Sequence, residues 1–257
     1  MRKRAKCLLV LLTSLIAFPA FAADPVIYNG IDLWRTVGDG STFADFSKAP
    51  IPAGFFCSKS EPFTGRIAFT GVPLATDIPG GLKEADTIVQ RLDDAVFNKR
   101  GVALTRLQVR ALSFRGLAPI QTACGQFVVK ASLDGEQPIT RMRIFRENDA
   151  GGRFLSSISV NVRIAFTPVG RPGIEPLEIH KSLQFPPLSN NWESLPAQRG
   201  TKVQGFLLVD TDGDGTPDTY LPGTSNFGAG QMRRNAKGFC MRPMFCHMSE
   251  GCQHCAC

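Results

Sequence analysis

The chain has 257 residues, 20% of them charged and 43% hydrophobic, with 25 glycines, 18 prolines and 19 phenylalanines. Four of its 29 basic residues lie before Ala22, so residues 23 to 257 carry 25 bases against 22 acids. A surplus of three, with arginines such as Arg106, Arg110, Arg141, Arg143 and Arg163 spaced singly, does not call for a nucleic-acid partner.

The first segment reads as an address. Arg2, Lys3, Arg4 and Lys6 precede an apolar run from Cys7 to Phe18, and Ala20-Phe21-Ala22 supplies a small-x-small cleavage pattern. Residues 1–22 are therefore expected to be a signal peptide cleaved near Ala22, and the protein to be exported, periplasmic or secreted. No later stretch approaches the ~20 apolar residues of a transmembrane helix. The remaining length suffices for a buried core in one or two domains.

Residues 23–62 are dense in turn signals, such as Asn29-Gly30 and Pro50-Ile51-Pro52, so short edge strands and turns are expected. Regular alternation starts near Phe63. Ile67 and Phe69 alternate with Arg66, Ala68 and Thr70, Leu107, Val109 and Ala111 oppose Arg106, Gln108 and Arg110, and Ile158 to Phe166 holds a period of two throughout. That pattern suits antiparallel strands with one wet face, and turn signals at Asp134-Gly135, Asn148–Gly152 and Gly170–Gly173 divide them. Lys83–Arg100 has some helical periodicity, but its β-branched Thr87-Ile88-Val89 favours strand or irregular structure.

Arg66-Ile67-Ala68-Phe69-Thr70 recurs letter for letter as Arg163-Ile164-Ala165-Phe166-Thr167. The expectation is an all-β protein of two tandem antiparallel β-sandwich units, residues 63–120 and 121–222. A linker at 223–239 and a Cys/His-rich tail at 240–257 follow.

The most specific chemistry is Asp210-Thr211-Asp212-Gly213-Asp214-Gly215-Thr216-Pro217-Asp218, directly after the apolar run Phe206–Val209. Calcium takes six to eight oxygens, which a tightly turning chain can supply from alternate residues. Asp210, Asp212 and Asp214 would offer carboxylates, Thr216 its carbonyl, and Asp218 a carboxylate direct or through water. The alternative is an acidic Asp–Gly hairpin turn without metal. These nine residues resemble EF-hand calcium loops and, more closely, thrombospondin type 3 repeats. The resemblance implies Ca2+ as ligand, bound at the weak affinity of extracellular sites. Pro217 and Leu221 depart from the EF-hand pattern, the latter standing where its bidentate glutamate would be.

Cys57 and Cys124 are natural disulfide partners in an oxidising compartment. Cys240, Cys246, Cys252, Cys255 and Cys257, with His247 and His254, crowd the C-terminus. They suit either a disulfide knot or a soft-metal site, Zn2+ or Cu+, helped by Met241, Met244 and Met248. No nucleophile elbow, phosphate loop or paired-histidine zinc helix is present, and His180 reads as an ordinary strand residue. The expected function is a non-enzymatic binding or structural protein with a calcium-stabilised loop, engaging a protein or another envelope component. A soft-metal handling protein using the tail is the alternative, and a secreted hydrolase ranks third.

Overall fold

The computed structural model describes residues 26–194 and 206–229, apart from 37, 41, 78–81, 83 and 224, and no side chains at 185–188 or 206. Residues 1–22, expected to be a signal peptide, and the cysteine tail lie outside the described residues. What is described is all-β. Fifteen strands run in order: β1 (Val26–Ile27), β2 (Gly30–Trp34), β3 (Phe43–Asp45), β4 (Arg66–Gly71), β5 (Thr87–Arg91), β6 (Ala95–Val96), β7 (Val102–Gly116), β8 (Ile120–Thr122), β9 (Gly125–Leu133), β10 (Ile139–Asn148), β11 (Gly151–Pro168), β12 (Leu177–Ser194), β13 (Phe206–Val209), β14 (Thr219–Pro222) and β15 (Phe227–Ala229). Among the described residues no helix is long and apolar enough to cross a membrane.

Eleven strands form one sheet, ordered β15-β12-β11-β10-β7-β4-β3, with β2, β5, β8 and β9 branching from this path. Two long strands carry it. One edge of β7 pairs with β10 through residues 102–108 and with β9 through 113–115, while β11 pairs with the same two strands through 151–156 and 162–168. Strands β9 and β10 thus lie end to end between β7 and β11. The expected boundary at residue 120 falls inside this sheet, so the strands assigned to two units share it. Their echoing pentapeptides sit in β4 and in the second half of β11.

The turn expected at Asp134-Gly135 does not reverse the chain. Residues 134–138 bulge out and the strand resumes in the same direction as β10. Gln137 fills the break: its amide nitrogen donates to the carbonyls of Asp134 (3.1 Å), Gly135 (3.2 Å) and Asn161 (3.0 Å), and its oxygen accepts from Asn161 N–H (3.0 Å). A buried side-chain amide thereby replaces the missing peptide partner of β11. Asn226 does the same beside β1, accepting from Tyr28 N–H (3.0 Å) and donating to the Val26 carbonyl (2.8 Å).

The inward side chains of β11 (Phe154, Ser156, Ile158, Val160, Val162, Ile164 and Phe166) are all buried, as strict alternation requires. All but Ser156 join one large core with Leu107 and Val109 of β7, Val129 of β9, and Met142 and Ile144 of β10. The N-terminal segment covers it: Phe56 packs on Phe166 and Phe127 with ring centroids 5.3 and 5.0 Å apart. The disulfide Cys57–Cys124, as expected, ties this cover to the start of β9, with Cα atoms 6.0 Å apart. Closing 67 residues in this way is worth about 4 kcal/mol.

A smaller core (Ile31, Leu74, Ile88, Ala111, Leu207, Val209 and Leu221) lies where the hairpin β13–β14 packs on β2, β5 and β7. Lys83–Arg100 contains β5 and β6, so strand rather than helix forms there. The expected linker begins within the fold, because β15 pairs with β12 and Phe227 stacks on Trp192 (5.5 Å).

Candidate metal centre

The apolar run Phe206–Val209 forms β13, which pairs antiparallel with β14, and residues 210–218 are the loop between them. Gly213 and Gly215 take φ of 81° and 94°, left-handed values that suit glycine and fold the loop back on itself. Its carboxylates turn inward over the backbone. Asp210 Oδ1 accepts from Gly213 N–H (2.7 Å) and Oδ2 from Gly215 N–H (2.8 Å), while Asp212 accepts from Asp214 N–H (3.1 Å) and Asp214 from Thr216 N–H (2.6 Å). Asp210 is buried; Asp212 and Asp214 are exposed.

One carboxylate oxygen from each of Asp210, Asp212 and Asp214 falls within 4.8 Å of the others. Two oxygens sharing a calcium ion at about 2.4 Å can be no more than about 4.8 Å apart, a limit the trio does not exceed. Thr216 and Asp218 are not part of this trio. The Asp218 carboxylate accepts from the Thr219 hydroxyl at 2.9 Å, at the foot of β14.

The loop rests on the outer face of the main sheet. A Cβ at Gly213 would lie 3.6 Å from that of Ser132, and Arg163 donates to the Asp212 carbonyl at 3.4 Å. Beside it a cavity of about 430 Å³ is lined by Arg110, Glu136, Gln137, Thr211, Asp212 and Thr219, among others. Arg110 is the extra residue of a bulge, since Ile88 pairs with Ala111 and Val89 with Val109. The break at 134–138, this bulge and the acidic loop converge on that cavity.

His180 has a partner that strand position alone did not reveal. Its Nδ1 lies 2.8 Å from Asp134 Oδ2, both side chains being well exposed. The signal available was Asp134-Gly135 as a loop, but nothing in the sequence placed that loop beside β12. Two buried carboxylates also escaped notice. Asp86 accepts from Thr36 N–H (2.6 Å) and from the hydroxyls of Thr36 (3.1 Å) and Thr87 (2.8 Å). Burial nonetheless holds its pKa above the ordinary carboxylate value. Asp32 pairs with the fully buried Arg91, and burial again pushes the carboxyl upward, outweighing the attraction of the guanidinium.

Cys240, Cys246, His247, Cys252, His254, Cys255 and Cys257 lie outside the described residues. Comparison of the chain with protein-family models, with curated proteins and with solved structures finds no match to any of them.

Proposed function

We propose that this is an exported, non-enzymatic binding or structural β-protein whose 210–218 loop takes up calcium and braces the β13–β14 hairpin against the main sheet. The convergence of three aspartate oxygens within 4.8 Å carries this reading. Three ionised carboxylates at that spacing repel by roughly 3 kcal/mol per pair at an effective dielectric of ~20, which a divalent ion relieves. Thr216 and Asp218 complete the ligand set through the Thr216 carbonyl and a carboxylate or its water. The Cys57–Cys124 disulfide supports an oxidising, extracytoplasmic setting.

Scanning calorimetry of the protein from residue 23 onward, with 10 mM calcium or with chelator, tests it. For a dissociation constant of about 1 mM the ion adds about 1.4 kcal/mol, a rise in Tm of about 3–6 °C for a chain of this size. Asp212→Ala, at an exposed position, should abolish the rise. Superimposable melts with and without calcium would remove the ion from the account.

A further inference from the structure

We propose that the outer face of the sheet across β7, β10 and β11 docks the protein on an anionic lipid surface. The sheet assembles a cluster from arginines that are scattered in sequence. Arg141 pairs directly across from Arg106, Arg143 lies between Leu104 and Leu155, Phe145 between Val102 and Arg153, and Ile139 faces Gln108. Residues paired in this way have Cβ atoms about 5 Å apart, and like charges directly opposite one another are unfavourable. Arg106 is neutralised by Asp93 through two bonds of 2.7 Å, and Arg153 lies 3.6 Å from Glu147. Arg141 and Arg143 are exposed, and their side chains make no hydrogen bond or ion pair among the described residues. Exposed Leu104 (58%) and Ile139 (53%) stand among them.

Charge selects the occupant. The chain's own undescribed segments are themselves basic: Arg199 and Lys202 without an acid in 195–205, and Arg233, Arg234, Lys237 and Arg242 against Glu250 in 230–257. At the other end Arg2, Lys3, Arg4 and Lys6 stand against Asp24. A second copy presenting the same face would set arginine against arginine. The partner is therefore anionic. Aliphatic side chains interleaved with guanidinium groups match a headgroup layer, where phosphates accept from arginine and the acyl boundary accepts Leu104 and Ile139.

This surface does not depend on the calcium reading. None of its residues belongs to the 210–218 loop, although Asp212 lines the same cavity as Gln108, which faces Ile139.

The test is co-sedimentation of the protein from residue 23 onward with vesicles of phosphatidylglycerol and phosphatidylcholine (1:1) or phosphatidylcholine alone, at 0.15 M salt, with calcium and with chelator. Binding to the anionic vesicles in both conditions is expected. Loss of two arginines at about 1 kcal/mol each predicts at least ~30-fold weaker binding for Arg141→Glu/Arg143→Glu. Leu104→Ser/Ile139→Ser should also weaken it. All four positions are exposed, so melting curves should show the variants folded. No sedimentation, equal binding to neutral vesicles, binding only with calcium, or undiminished binding by the arginine variant would each overturn the proposal. So would a serine variant that binds normally, or binding of soluble dextran sulfate without vesicles, since both indicate polyanion rather than lipid recognition.

Discussion

Removing one member of the Arg91–Asp32 pair should destabilise the protein far more than removing both. Arg91 is wholly enclosed and bonds Asp32 Oδ1, Ser225 Oγ and the Tyr28 carbonyl (3.2 Å), with its guanidinium carbon 4.6 Å above the Phe227 ring. Yet among the described residues Asp32 Oδ2 and Arg91 Nε have no hydrogen-bond partner. Burial dominates the upward shift of the Asp32 pKa, so desolvation exceeds the attraction between the two charges. Asp32→Ala leaves a buried cation without its counter-charge, a loss of about 3–5 kcal/mol. Asp32→Val/Arg91→Met removes both charges and leaves only the Ser225 and Tyr28 oxygens to be satisfied, at about 1 kcal/mol each. Urea denaturation of wild type, both single variants and the double variant gives the coupling, expected at about 2 kcal/mol or more. A double variant as unstable as the sum of its singles would refute the reasoning, as would a cost below about 1 kcal/mol for Asp32→Ala.

The break between β9 and β10 depends on a neutral amide. Gln137→Ala should cost about 1–3 kcal/mol by stranding the Asn161 N–H, while the Asn161 carbonyl keeps its bond from Asp134 N–H (2.9 Å). Gln137→Glu should cost more at neutral pH, because it aims a carboxylate at three carbonyl oxygens; chemical denaturation giving the reverse order would contradict the assigned bonding. For Asp86, a folded pKa above the unfolded value means its contribution is fully present below about pH 4 and is lost as pH rises through the folded pKa. Urea midpoints measured upward from pH 4 should therefore show wild type losing stability relative to Asp86→Asn. The opposite slope would contradict the raised pKa.

The period of two in Ile158–Phe166 identified β11, and the apolar run before Asp210 identified β13, because a half-buried strand imprints its alternation on sequence directly. Pairing partners leave no such imprint. Nothing in 105–111 or 158–166 says that both strands run to 15 and 18 residues and share β9 and β10. Asp134-Gly135 announced a turn, but a turn signal does not specify whether the chain reverses, and here Gln137 allows it to continue. The acidic loop was legible because its aspartates alternate within nine consecutive residues. Asp32, Arg91 and Asp86 were not, since a charged residue is ordinarily outside and only the fold shows these three enclosed. Likewise, singly spaced arginines become neighbours only through strand register.

The amide of Asn226 that secures Tyr28 lies 198 residues further along the chain, and the Ser225 hydroxyl bound by Arg91 is 134 residues beyond it. A chain lengthening at roughly 5–20 residues per second needs some 10–40 s to deliver that closing partner. The first strands made are thus among the last to be fastened. Until then β1 and β2 have only their early neighbours β5 and β6 to hold them, and any length lost before residue 226 leaves the opening segment unlatched.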